Sequence, residues 1–177
     1  MSDFSQAGEK TNHYDISNFY STNNKQQGEI LTHSFLLQPG NWQINGHWLE
    51  HNEQPIPVTG TSIVTWKQAR WFTMATELII GQETPRKVSS KYRGHLDLNS
   101  KYYTYVLKHD VLGNIEGEGW IGPQAIVQYY WVLGRSQRHT GFDTYYRLNE
   151  DTYHFSGGML TSLNLNSTIE ATLQRQF

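Results

Sequence analysis

The sequence predicts an all-β domain: a single closed antiparallel up-and-down barrel of about ten strands, preceded by a polar N-terminal arm. Three observations carry this. Eleven Tyr, seven Phe and six Trp make 14% of the 177 residues aromatic, and such side chains suit a pleated, half-buried surface. From Asn41 onward, short runs are broken by turn residues at regular intervals, the pattern of a sandwich or barrel. No segment offers the roughly ten residues of helical period that a parallel crossover needs.

Length and composition bound the rest. One domain accounts for the chain, with residues 1–28 as a partly ordered arm and 29–177 as the barrel. The absence of cysteine excludes disulfides and thiolate chemistry. Fourteen Lys and Arg stand against sixteen Asp and Glu, for a net charge of −2. A near-neutral surface with no basic block argues against a nucleic-acid partner or an anionic membrane surface. Met1-Ser-Asp-Phe-Ser-Gln lacks the charged and apolar regions of a signal peptide, and no apolar run approaches a membrane span. A cytoplasmic protein is expected.

In chain order, residues 1–28 are polar and without sustained period. A helical turn is expected near Asp15 to Tyr20, with Asp15 as cap and Ile16, Phe19 and Tyr20 as apolar contacts. Glu29 to Leu37 reads either as a short helix or as a first strand. Strands follow near 41–51, 58–66, 71–80, 87–97, 102–109, 113–121, 125–133, 137–148, 152–159 and 165–175. Asn52-Glu-Gln-Pro55-Ile-Pro57 cannot continue a central strand, because proline lacks the ladder N–H. Gly122-Pro123 and Gly134-Arg135 are two-residue hairpin candidates, and Leu148-Asn-Glu-Asp151 is another turn.

Side chains alternate faces along a strand, and residues opposite in a hairpin share a face. Hairpins at Gly122-Pro123 and Gly134-Arg135 put Trp120, Ala125, Val127, Tyr129, Trp131, Arg138, Thr140 and Phe142 on one side. A two-residue Asn149-Glu150 turn adds Tyr146, Tyr153, Thr144 and Phe155. A four-residue loop from Asp110 to Gly113 adds Tyr103, Tyr105, Leu107 and His109, whereas a three-residue loop would flip that strand. This aromatic face is expected to be the inner one, with Lys108, Gly117, Gly119, Gln128, His139, Asp143, Arg147 and His154 outside. Glu116, Glu118 and Arg138 then fall inside as well, where Glu116 and Arg138 could meet across about 10 Å. Buried charges demand pairing.

Gly40-Asn41-Trp42, at the head of the first barrel strand, resembles the Gly-x-Trp element of lipocalins and other calycin-type barrels. Gly46-His47-Trp48 offers a competing match. The resemblance covers roughly residues 40–177 and implies that the Trp packs at the closed end of the barrel against a cation from the last strand, for which Arg175 is the matching position. The lipocalin disulfide is absent and later lipocalin motifs are not recognisable. Fatty-acid-binding proteins and the haem-binding nitrobindin-like barrels are similar in shape. The resemblance implies a small apolar or amphipathic ligand, or barrel enzymes of isomerase, cyclase or chromophore-lyase type.

Glu116, Glu118 and Arg138 admit three readings. Arg138 could anchor a ligand carboxylate bidentately. The two glutamates, about 7 Å apart on one face, could act as general acid and base, and they are the candidate catalytic residues. Alternatively, the group is a satisfied polar network in a packed interior. Among the eight histidines, His47 and His51 lie about 13 Å apart on one strand face, too far to share an ion. His95 and Asp97 lack a third ligand, which leaves His109 as the one inward candidate for a metal or haem. No cofactor is expected. The glycines around Glu116 and Glu118 open no helix and form no phosphate loop, marking instead a bend or close backbone approach. Asn166-Ser167-Thr168 is a chance glycosylation sequon, and no catalytic triad assembles from local motifs.

The leading reading is a non-enzymatic barrel holding a small, largely apolar molecule with an acidic group. Its walls would be Tyr103, Tyr105, Trp120, Tyr129, Trp131, Phe142 and Tyr146, and its polar end Arg138 with Glu116 and Glu118. A cavity of several hundred Å³, about the usual ligand scale, would be required. The alternatives are an enzyme using Glu116 or Glu118, and a packed module that self-associates, as a homodimer, through an outer face carrying Tyr102, Tyr130 and Val132.

Overall fold

A computed structural model describes residues 33–51, 53–67, 70–97 and 101–177. The arm expected over 1–28, its helical turn and the first residues of the 29–37 segment lie outside the described residues. Ten strands form in sequence: β1 (Gly40–Glu50), β2 (Ile56–Trp66), β3 (Trp71–Ile80), β4 (Arg86–Leu96), β5 (Tyr102–His109), β6 (Gly113–Ile121), β7 (Ala125–Val132), β8 (His139–Arg147), β9 (Thr152–Thr161) and β10 (Asn164–Gln176). Each pairs antiparallel with its chain neighbours, and β10 returns to pair with β1. Closure leaves no free edge for another chain to extend. The strands lie within a few residues of the expected positions. Residues 33–39 form turns and not a strand.

Closure also leaves a single inside, and each strand's alternation commits to it. Trp42, Ile44, Val58, Val64, Phe72, Met74, Tyr92, Tyr103, Tyr105, Ile126, Tyr145, Tyr153, Ala171 and Leu173 are buried there. Bulky rings fit inside because the neighbouring strand supplies glycine. Phe72 lies opposite Gly94, Tyr105 opposite Gly117, Tyr103 opposite Gly119 and Tyr130 opposite Gly141. In each pair a Cβ on the glycine would fall inside the partner's ring. The glycines in the β6 run therefore mark close approach by a side chain.

One end of the barrel is sealed by residues 33–39. Phe35 and Leu36 are buried there, Phe35 packing edge-on against Trp42 with ring centroids 5.2 Å apart. Leu36 holds a left-handed backbone, φ 68°, unusual for a branched residue. It is fixed by its burial and by Trp66 Nε1, which donates to its carbonyl at 3.0 Å. The Tyr153 hydroxyl accepts from the backbone N–H of Ser34 at 3.0 Å and of Phe35 at 3.4 Å. His33 Nε2 donates to the Gly122 carbonyl at 2.9 Å, so its Nδ1 can accept from Tyr153, 3.2 Å away. Burial lowers the His33 pKa, in keeping with this neutral tautomer.

Trp42 and Arg175 are direct cross-strand partners. The Arg175 guanidinium lies 5.9 Å from the Trp42 ring centre and donates to the Pro39 carbonyl at 3.1 Å. This is the packing that the Gly40-Asn41-Trp42 resemblance implies. Trp48, the competing match, sits towards the other end, its Nε1 donating to Glu50 at 2.9 Å.

Gly119→Ala tests the ring-over-glycine packing. The new methyl group has to displace the fully buried Tyr103, so overpacking should lower stability by about 1–3 kcal/mol, read from the midpoint of urea unfolding.

Candidate functional site

Within the barrel, the inner faces of β7 and β8 place one amide and one carboxylate among the tyrosines. Gln128 of β7 lies opposite Asp143 of β8, and its Nε2 donates to Asp143 Oδ2 at 2.8 Å and to the Tyr145 hydroxyl at 3.3 Å. Its Oε1 accepts from the hydroxyls of Tyr103 at 3.0 Å and Tyr92 at 3.3 Å. One amide thus joins three tyrosines to a carboxylate, with both amide protons and both acceptor sites occupied. Gly157, opposite Asp143 on β9, leaves the space that the carboxylate occupies, since a Cβ there would strike Asp143 Oδ1.

A cavity of about 180 Å³ adjoins this cluster. Tyr92, Tyr105, Tyr130, Tyr145 and Asp143 contribute to its wall, with Met74, Leu78, Leu107 and Ile115 on the apolar side and His109 and Leu112 towards the end away from Trp42. It is smaller than the several hundred Å³ expected. An engineered apolar cavity of about 150 Å³ holds benzene, so the space suits a molecule of one ring. Wider depressions of about 580 and 430 Å³ on the outer wall are more open and carry Lys91, Arg93, Lys108 and Glu116.

Two buried polar atoms in the cavity wall have no hydrogen-bond partner among the described residues: the Tyr105 hydroxyl and Ser167 Oγ. Ser167 reaches the wall through an irregularity in the β9–β10 ladder, where the register shifts between Leu165 and Ser167. A bulge of this kind re-aims the side chains beyond it.

Asp143 is the electrostatic centre of the interior. Burial pushes its carboxyl up from 3.8 to about 6, partly opposed by the hydrogen bond from Gln128. Among the described residues no Lys, Arg or His forms an ion pair with it. Burial also raises the phenols of Tyr105, Tyr130 and Tyr145 well above their ordinary range, the Asp143 charge adding to the effect. They remain neutral donors.

The structure redistributes the expected site residues. Tyr103 and Tyr105 face inward, as do Leu107, Tyr153 and Phe155. Trp120, Val127, Phe142 and Tyr146 are 42–47% exposed on the outer wall, and Tyr129 and Trp131 share that face. Glu116 and Arg138 are exposed, and outward Glu118 accepts a hydrogen bond from the Tyr102 hydroxyl at 2.9 Å. No Glu116–Glu118–Arg138 cluster therefore exists inside. Gly117, Gly119, Gln128, Asp143 and Arg147, expected outside, point inward, as do Tyr130 and Val132, which were expected on the outer face.

The pairing within β6–β8 has the expected parity, Trp120 opposite Val127 and Tyr129 opposite Phe142. The error lies in the flanking loops. His109 pairs with Gly113, leaving the three-residue loop Asp110–Leu112. Arg147 pairs with Tyr153, so the β8–β9 connection is also one residue off the expected register. Each shift turns the three central strands over relative to their neighbours. The usable signal was the β6 glycines, which mark a surface onto which β5 side chains fold.

His109 remains inward at the cavity's far end. Its Nδ1 accepts from the backbone N–H of Val111 at 3.1 Å and Leu112 at 3.2 Å, which puts the ring proton on Nε2. Burial lowers its pKa despite nearby Asp110. Among the described residues no three His, Asp or Glu side chains group as metal ligands would.

No family model matches the chain, and no curated protein matches it. Solved structures do share the fold. Rv2717c from M. tuberculosis superposes with a TM-score of 0.62 at 15% identity, over 80% of this chain and 93% of that one. The S-type phycobiliprotein lyase CPES from Guillardia theta superposes with a TM-score of 0.55 at 11% identity, over 79% of this chain and 89% of that one. At these identities the likeness is one of fold.

Because the folded carboxyl of Asp143 titrates above the unfolded one, the native state binds its proton more tightly. Its contribution to stability is complete below about pH 4 and lost as pH rises through about 6. Asp143→Asn, which can still accept from Gln128, should gain about 2–3 kcal/mol relative to wild type between pH 4 and 8. The difference between the two proteins' urea-unfolding curves, taken at each pH, isolates this group from His33 and other titrations.

Proposed function

We propose that this barrel is a binding protein for a small, largely apolar molecule held in the interior cavity beside Asp143. The observation that carries this reading is the pair of buried atoms without a partner among the described residues, Tyr105 hydroxyl and Ser167 Oγ, in the wall of a largely apolar void that also carries Asp143. An unmade buried hydrogen bond costs about 1–3 kcal/mol, and a guest with complementary polar atoms would recover it. Apolar walls with a few convergent polar groups are the usual make-up of a ligand site.

The barrel's chemistry moves the reading away from an acidic ligand. Arg138, the expected carboxylate anchor, stands on the outer wall, and the interior offers the Asp143 carboxylate and phenol hydroxyls instead. A ligand carboxylate beside Asp143 would be repelled. The phycobiliprotein lyase shows this barrel shape serving a protein of that name; here the glutamates weighed for catalysis face solvent, and binding is the reading that the interior supports.

The test is occupancy. Native mass spectrometry of the freshly purified full chain should reveal a bound small molecule, or toluene should shift the methyl resonances of Met74, Leu78 and Leu107. Ser90→Phe, which places a phenyl group at a cavity-wall position, should weaken toluene binding by about tenfold or more, since overpacking a filled site is unfavourable. A wild-type protein with no bound mass and no toluene-induced shift would overturn the proposal.

A further inference from the structure

We infer that the molecule held beside Asp143 is a cation, a protonated amine on a compact apolar or aromatic body. The inference rests on the binding reading above and specifies the chemistry of that same cavity.

An ionised group in an apolar interior is strongly unfavourable unless it is paired. Asp143 has one donor, Gln128 Nε2, on Oδ2. Neither its hydrogen bonds nor its ion pairs include a cation among the described residues. The surroundings are built to keep it in place: Gly157 makes room for Oδ1, and Gln128 is itself held by Tyr92 and Tyr103. The charge thus sits at the wall of a void large enough for one ring.

The other groups facing the void suit the same guest. An ammonium carries three donors and no acceptor. Asp143 Oδ1 and the Tyr105 hydroxyl oxygen can each accept one, Ser167 Oγ offers a further acceptor elsewhere on the wall, and among the described residues neither hydroxyl has a partner. Tyr92 and Tyr105 stack with ring centroids 4.2 Å apart, and Tyr145 stacks on Phe155 at 4.9 Å, so aromatic faces and edges make up much of the wall. Aromatic faces attract cations most strongly where water is excluded. A neutral alcohol could use the hydroxyls but would leave the Asp143 charge unpaired, whereas a carboxylate would add a second negative charge to it.

Binding of 2-phenylethylamine, 2-phenylethanol and phenylacetate, nearly equal in size, to the full chain at pH 7.5 separates these chemistries. Calorimetry or methyl-resonance titration should show the amine binding about tenfold or more tighter than the alcohol, as a charge-assisted hydrogen bond implies, with phenylacetate weakest. Asp143→Asn should remove the amine's advantage and leave the alcohol's affinity within about threefold, because the replaced group differs chiefly in charge. If the alcohol or the acid equals the amine on the wild-type protein, the cation inference is overturned while interior binding stands. It is overturned in the same way if toluene binds and none of the three does. If toluene also fails, both readings fall. The wild-type rank order decides the matter even if the variant does not fold.

Discussion

Rings laid across glycines of the adjoining strand are what allow this barrel to hold its interior. Tyr103 and Tyr105 leave β5 and lie over Gly119 and Gly117 of β6, Phe72 lies over Gly94, and Tyr130 over Gly141. An inward side chain at any of these glycines would compete with a ring for the same volume. Packed interiors are close to crystalline in density, so the choice is between the ring and the Cβ. The consequence is an interior whose rings come from β1, β3–β5 and β7–β9, with Gln128 and Asp143 set among them where glycines of the neighbouring strands leave room.

This division separates the molecule into two ends of different character. At one end Trp42, Phe35, Tyr153 and Leu173 are buried together, and the backbone donors of residues 34 and 35 are satisfied by one phenol. Arg175 covers the outer side of Trp42 with its charge directed to the Pro39 carbonyl. Towards the middle and far side, a cavity bordered by Asp143, Gly157 and Ser167 is left unfilled by the described side chains. A well-packed end provides rigidity, and the polar groups of Gln128 and Asp143 are positioned against it. Rigid support of this kind lets a small void keep a defined shape.

The electrostatics follow from the same geometry. Gln128 has its full complement of partners, so its orientation is fixed, and the surplus acceptor capacity is concentrated on Asp143 and the Tyr105 hydroxyl. Polar groups left incomplete in low-dielectric surroundings are costly, and two of the four such atoms among the described residues, the Tyr105 hydroxyl and Ser167 Oγ, border the cavity. On the outside, the arrangement is reversed: Trp120, Val127, Phe142 and Tyr146 stand exposed among Glu116, Glu118 and threonines.

Much of the fold was legible because it depends on short-range chemistry. Pro55, the glycine turns and the runs of Tyr, Trp, Thr and Val mark where strands can and cannot continue, and their even spacing implies antiparallel closure; Pro57, expected in the break, instead lies in β2 opposite His47. The Trp42–Arg175 contact was legible only through the resemblance of Gly40-Asn41-Trp42 to the Gly-x-Trp element, which implies such a partner on the last strand. The inner face was not. Alternation has a period of two, so a loop of three residues at Asp110–Leu112, where four were expected, exchanges inside for outside along a whole strand, and the β8–β9 turn does the same. Composition then misleads, since the outer faces of β6–β8 carry more aromatic residues than the inner ones. By itself the sequence determined the strands and their order, while the seal formed by the turns of residues 33–39 appeared only in the structure. Only the tertiary structure decided which side of β6–β8 faces the interior, and hence that Asp143 and Gln128 meet the tyrosines there while Arg138 faces water, because that choice depends on loop length and on rings from one strand filling the space above glycines of the next.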